Sequence, residues 1–281
     1  MSLFFLQLRG ELTKLFARKR TYIGFGAFLI IELLILSLLQ LPGNQRMLRH
    51  EIEKRGYAFA EYFSGLTIAY EIITPTIFTL GSLYLALVAG DVVAKEVEEG
   101  TMRMMLCRPV SRLRILIVKY LACVAYTFAL IFFIGITAMI AGIAWRGFGG
   151  LFVFAPLEGV FALYDFHEGL MRFLAALVLI SLSLLSITTM AFGFSCLNMK
   201  PAAATIITLS IFFVDMIFFR IPFFESIKPW FLTGHIGAWA DAFRDHYSLP
   251  KIVEDYSVLF GVNGTLLVIA AVLFQQRDFK S

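Results

Sequence analysis

Six apolar blocks alternate with shorter polar stretches along the chain. A helix crossing a bilayer needs about 20 mostly apolar residues. The blocks meet this over Thr21 to Leu41, Tyr70 to Gly90, Tyr120 to Ala144, Arg172 to Leu197, Ala202 to Phe219 and Tyr256 to Phe274. The pattern predicts an all-α, polytopic membrane protein with six transmembrane helices in one domain covering 1–281. Ahead of the first block, Phe5, Leu8, Leu12, Leu15 and Phe16 recur at helical spacing while Arg9, Glu11, Lys14 and Arg18 take the other face. Residues 1–20 are therefore expected as an amphipathic helix lying along the membrane surface. A shorter apolar stretch, Phe148 to Tyr164, is interrupted by Gly149, Gly150, Pro156 and Glu158 and reads as a re-entrant or interfacial piece. Residues 220–255, with Pro222, Pro229, Trp230, Phe231, Trp239 and Phe243, have the composition of a membrane-interface segment on the outer side.

Composition strengthens the membrane assignment. The chain is 59% hydrophobic with a mean hydropathy of +0.82, against about 45–50% apolar residues in soluble domains. Its solvent is the lipid bilayer, and nothing suggests nucleic acid. Fourteen of the 24 Lys and Arg fall on the side that holds the N-terminus, the polar stretch around residue 100, the Asn198 to Pro201 turn and the C-terminus. Positive-inside bias places that side, with both termini, in the cytoplasm, and makes the chain a multi-pass protein of the cell (inner, cytoplasmic) membrane. The bias is tempered by Arg46, Arg49, Lys54 and Arg55 in the first outer loop. The N-terminus lacks the layout of a cleaved signal peptide. Cys107, Cys123 and Cys196 show no ligand spacing and read as packing residues.

The densest polar segment, Gly90 to Leu116, carries punctuation. Gly100 can end one helix, Thr101 can cap a short one over Met102 to Cys107, Pro109 stops it, and Ser111 can cap the next. The result is a cytoplasmic knob over 91–114, with acids (Glu96, Glu98, Glu99) before it and bases (Arg103, Arg108, Arg112, Arg114) along and after it. Separated charge of this kind suits docking into a charged protein groove, although a solvated loop that merely satisfies the topology rule would look similar. The spacing goes further. Glu96, Glu98, Gly100, Thr101, Leu106, Arg108, Pro109, Val110, Ser111 and Arg112, followed by Lys119, resemble the first cytoplasmic loop of ABC type-2 exporter permeases, with Met105 where a second Leu is usual.

That resemblance implies a membrane-spanning permease subunit whose loop is a coupling helix seated on a separate cytoplasmic ABC ATPase. It also implies a second permease subunit, identical or homologous, and an outer segment at 220–255 that gates the exit. The implied ATPase-docking residues are Glu96, Glu98, Glu99, Gly100, Thr101, Arg103, Leu106, Arg108, Pro109, Ser111 and Arg112. Consistent with this, the chain has no Gly-x-x-x-x-Gly-Lys-Ser/Thr phosphate cradle. It is read as a transport subunit and not an enzyme, with no cofactor of its own; ATP and Mg would be bound by the partner.

Two acids stand inside the apolar blocks, Glu32 and Asp215, and are candidates for the translocation path or for buried packing roles. Ser181, Thr188 and Ser195, and Gly135, Ala138 and Gly142, have the spacing of helix-packing seams. Asp241, Asp245 and His246 fall short of a metal-ligand set, so no metal is expected. No nucleophile elbow or zinc-protease motif points to an integral-membrane enzyme. By themselves the residues leave open a secondary transporter or channel, or a non-transporting scaffold bound to an ATPase.

Overall fold

The computed structural model describes residues 3–54, 56–107, 110–155, 159–244 and 249–277. Helix α1 (Leu3–Phe16) turns sharply into α2 (Lys19–Leu39), followed by α3 (Pro42–Glu53) and the single turn α4 (Phe59–Tyr62). The second long span is composite: α5 (Gly65–Pro75), a π-helical turn over Thr76–Gly81, and α6 (Ser82–Glu98). The short helix α7 (Thr101–Leu106) precedes α8 (Arg112–Arg146), a hairpin of β1 (Leu151–Ala155) and β2 (Val160–Tyr164), and α9 (Phe166–Ser195). Then come α10 (Pro201–Arg220), a 3₁₀ segment (Pro222–Trp230), α11 (Leu232–Ile236), a second 3₁₀ segment (Gly237–Phe243) and α12 (Leu249–Gln276). Among the described residues, six stretches are long and apolar enough to cross a membrane: Lys19–Leu39, Gly65–Glu98, Arg112–Arg146, Phe166–Ser195, Pro201–Arg220 and Leu249–Gln276. The all-α, six-span reading therefore holds.

Local chemistry explains the boundaries. Ser64 and Ser111 accept from the backbone N–H of Leu66 (3.2 Å) and Arg114 (3.4 Å), which serves first-turn donors that have no partner within the helix. Gly100, at φ +73, closes α6 in a left-handed conformation that a side chain would disfavour. Pro75 has no N–H to offer the Glu71 carbonyl four residues back, and the π turn follows directly. The Thr76 hydroxyl donates to the Ile72 carbonyl at 2.6 Å, and that of Thr79 to the Pro75 carbonyl.

The centre of the bundle is α5, α6, α8 and α9, whose Ile68, Ile72, Leu85, Leu130, Ile134, Leu184 and Phe192 are buried. By contrast, α2, α10 and α12 turn residues such as Ile30, Leu33, Ile206, Ile217 and Val268 outward, the faces expected toward lipid or a partner. The small-residue seams are used for close approach. A Cβ on Gly142 would lie 2.3 Å from the Gly65 carbonyl oxygen, so α5 and α8 cross with their backbones in contact. Thr127 with Thr188, Tyr120 with Thr189, and Ser183 with Tyr256 each hydrogen-bond across helices at 2.9 Å.

The stretch expected as re-entrant or interfacial takes the form of an antiparallel hairpin, with Leu151 opposite Tyr164 and Ala155 opposite Val160. Its alternating aromatic and β-branched residues favour a pleated chain, and pairing satisfies its backbone groups locally. Pro156 and Glu158 lie outside the described residues. Leu151, Phe152 and Val153 are fully buried, and the hairpin is pinned to the start of α5. The Phe152 N–H donates to Thr67 Oγ1 at 2.9 Å, and the Ser64 hydroxyl to the Gly150 carbonyl at 2.6 Å. The 220–255 segment divides in two. Phe223 and Trp230 of the first 3₁₀ segment are exposed, whereas Trp239 of the second is buried and stacks on Phe78 at 5.4 Å. His246, Asp245 and their neighbours to 248 are outside the described residues; so is Arg55.

Candidate functional site

Contacts at one end of the bundle gather α1, α7, the start of α8, the turn after α9 and the end of α12, which we call the proximal end. The Arg112 guanidinium donates to the carbonyls of Gln275 and Arg277, both at 2.9 Å. Arg277 donates to the carbonyls of Cys196 (3.1 Å) and Leu197 (2.8 Å) and to Asn198 Oδ1 (3.1 Å). Arg112, expected at a partner surface, thus holds the chain's own C-terminal stretch.

The centre of this end is a cluster of four charges from three helices. Lys119 of α8 is fully buried and lies 2.8 Å from Glu11 Oε2 and 2.7 Å from Glu96 Oε2. Lys14 reaches Glu11 at 3.0 Å and Glu96 at 2.8 Å. Glu96 is only 3% exposed. Buried charges need partners of opposite sign in good geometry, and here two cations face two anions. Burial pushes the Glu11 carboxyl up, but Lys119 and then Lys14 outweigh it and hold it below the usual carboxylate range. Burial likewise pulls Lys14 down, and Glu96 and Glu11 more than restore it, leaving it above the usual lysine range. A second pair, Arg20 of α2 with Asp91 of α6, fixes the entry of the first span.

This arrangement sorts the residues read from the sequence. Glu98 and Glu99 are exposed, as are Arg103 and Met104 on α7. They form the projecting surface, with Lys95 and Glu99 3.9 Å apart beside it. Glu96 points the other way, into the charge cluster, because the helical turn that exposes Glu98 and Glu99 carries Glu96 inward. Gly100 occupies the cap position of α7 in place of Thr101. The Thr101 hydroxyl instead donates back to the Glu96 carbonyl at 3.2 Å. Ser111 caps α8 as expected from its sequence position. Leu106 ends α7, its side chain outside the description, and Arg108 and Pro109 lie outside the described residues. A groove of about 450 Å³ separates α1 from α7 and the start of α8, lined by Leu6, Gln7, Glu11, Met105, Val110 and Val118.

The two path candidates have specific partners. Glu32, 3% exposed, accepts from the Thr137 hydroxyl of α8 at 2.9 Å. Asp215 accepts from the backbone N–H of Leu232 (3.2 Å) and Thr233 (2.7 Å) and from the Thr233 hydroxyl (2.6 Å), so it caps α11 from the neighbouring helix α10. Among the described residues no group of three or more His, Cys, Asp or Glu is placed to hold a metal. Glu11, Lys14 and Lys119 were not singled out as site residues by sequence reasoning. The signal was present for Lys119, a lone cation in the otherwise apolar run Ile115 to Ala125, where its one polar neighbour is Tyr120. The second apolar block begins at Tyr70 by sequence, whereas the span begins at Gly65, which puts Glu71 about two helical turns inside it.

Two comparisons bear on this layout. The family model described as ABC-2 family transporter protein matches residues 13–236. Uncharacterized protein YhcI of Bacillus subtilis (strain 168) is 29% identical over 147 residues, which are 50% of this chain and 46% of that protein. The matched region thus spans about half the length of that curated relative. The family match takes in α2 through α11, including α7, and with its membrane-spanning helices the chain belongs to the ABC-2 transporter family as a multi-pass membrane permease component.

Proposed function

We propose that this chain is the permease subunit of an ATP-driven ABC exporter, with α7 as the coupling helix that seats on a separate cytoplasmic ATPase. The proximal end then faces the cytoplasm, in the cell membrane, and ATP with Mg is bound and hydrolysed in the partner. A second permease copy, identical or homologous, completes the membrane part through the faces that α2, α10 and α12 leave open.

The supporting observation is the division of the acidic run. Glu98, Glu99, Arg103 and Met104 project at the tip, while Glu96 and Met102 are buried at the root. A short helix anchored at its base and charged at its tip suits a docking element, because complementary charge fixes register and partner choice. Its mechanical use requires two conformations of the bundle, biased by nucleotide through the docked tip.

Co-expression with ABC-type ATPases encoded nearby, followed by pull-down, should recover a Walker-motif ATPase. The paired reversal Glu98→Lys and Glu99→Lys should insert normally and weaken ATPase retention or permease-dependent hydrolysis. Undiminished coupling in that variant refutes the docking role of the tip, and failure of the unaltered chain to retain any ATPase refutes the exporter reading.

A further inference from the structure

One residue belongs to three mechanical connections at the proximal end. The carboxylate of Glu96 meets Lys119 of α8 at 2.7 Å and Lys14 of α1 at 2.8 Å. Its backbone carbonyl receives the Thr101 hydroxyl, which opens α7. Lys119 in turn holds Glu11 of α1 at 2.8 Å. The charges balance within the cluster, and Lys119 has no solvent exposure with which to replace a lost partner by water. Surface ion pairs exchange readily with water; the Lys119 to Glu96 pair at the heart of this charge-balanced set, buried on both sides, does not.

We infer that Lys119 is a positioning residue that yokes the N-terminal helix α1 and the root of the coupling helix α7 to the start of α8, which carries it, so that the three move as one rigid lever. The inference rests on the permease reading above and adds a part to it. α1 is more than a membrane-surface anchor, since its Glu11 is turned toward Lys119 and its partly exposed Lys14 closes the cluster from the solvent side. The groove between α1 and α7 is then a fixed gap whose width the cluster sets from below.

Two independent consequences follow. In the unaltered frame, spin labels at Arg9→Cys on α1 and Met104→Cys on α7, both exposed sites, should report one distance in nucleotide-free and ATP-bound complexes, while labels elsewhere in the bundle shift. A change in the α1 to α7 distance on ATP binding overturns the yoke. The second consequence is kinetic. The double variant Lys119→Met with Glu11→Gln removes one charge of each sign and leaves the Lys14 to Glu96 pair intact. Reconstituted with the ATPase, it should retain that partner and its KM for ATP, yet lose permease-dependent kcat by about fivefold or more, the size of a typical coupling energy between sites. Lys119→Arg, which keeps the charge, should recover most of the loss, and so should a short thiol-to-thiol bridge between Leu6→Cys and Met105→Cys across the groove in the double variant. A double variant with unaltered kcat overturns the inference, as does one that loses the ATPase itself, since the residue would then act through docking. Failure of the unaltered permease to stimulate any ATPase would instead count against the permease reading.

Discussion

The two ends of this bundle are held by different balances of charge and packing. The proximal end is fastened by charge: Glu11 and the partly exposed Lys14 clustered on the buried Lys119 and Glu96, Arg20 on Asp91, and Arg112 and Arg277 on carbonyls of neighbouring turns. The distal end relies more on shape, although Asp241 there pairs with Arg244 and, at 3.2 Å, with Lys251. There the β1–β2 hairpin, Trp239 on Phe78, and Tyr70 against Phe243 fill space, and hydrogen bonds such as Tyr164 to the Phe243 carbonyl serve to satisfy buried backbone. Apolar packing tolerates gradual adjustment of a few tenths of an ångström, whereas a buried ion pair is either formed or costly. An end built from ion pairs can therefore behave as a rigid body that shifts between discrete arrangements, and an end built from aromatics can act as its fixed base.

The largest test of that contrast is Lys119→Met alone, which leaves Glu11 and Glu96 buried with only Lys14 between them. It should lower the stability of the purified permease by about 3–5 kcal/mol, read as the unfolding midpoint in detergent. A thermal midpoint equal to that of the unaltered chain would show that the cluster contributes nothing net. Next in size is overpacking at the α5–α8 crossing. Gly142→Ala places a methyl group against the Gly65 carbonyl and should cost about 1–3 kcal/mol. Gly193→Ala, where no atom lies within 4 Å of the added carbon, should be neutral or stabilising. If both behave alike, the backbone contact between α5 and α8 is not as close as described.

A third test uses pH. The Glu11 carboxyl is held below its ordinary range, so its contribution is complete above that range and is lost as pH falls through the lowered value. Lys14 is raised, so its contribution is lost only as pH climbs above the ordinary lysine range. Proteolytic release of α1 should thus be flat from roughly pH 6 to 9 and rise below roughly pH 4, with no matching change at the hairpin. Release that begins near neutrality would place the controlling group elsewhere. The smallest effect belongs to the distal end. Tyr164→Phe removes the bond to the Phe243 carbonyl and should cost about 1 kcal/mol, and a pH-independent loss is the expected signature.

The spans were legible because lipid imposes long uninterrupted apolar runs, and the α6–α7–α8 punctuation was legible because Gly100 and Ser111 act through local backbone chemistry. Four things were not. The hairpin at Leu151 to Tyr164 was hidden because a short apolar run with glycines reads alike for a strand or an interfacial segment until its period of two is given weight. The pairing of Glu11 and Lys14 with Lys119 and Glu96 was hidden because helical periodicity separates polar from apolar faces without saying what the polar face meets. Glu96 was read with Glu98 and Glu99 as one acidic run, and only the tertiary position of Lys119 divides it into root and tip. Asp215 was visible as an anomaly inside an apolar block, but its partners, the N–H groups of Leu232 and Thr233, come from beyond a turn whose path no local rule specifies.

The π-helical turn after Pro75 sets the phase of everything below it. A π turn accommodates one residue more than an α turn, and each residue of an α-helix advances the rotation by about 100°. The wide turn absorbs that extra residue, so the same residues wound as a regular α-helix through Thr76–Gly81 would turn Ser82–Glu98 by about that angle relative to α5. Glu96 would then point away from Lys119, although no residue near either had changed. The irregular turn in the distal half of this span is what aims a carboxylate at the far end of the same helix.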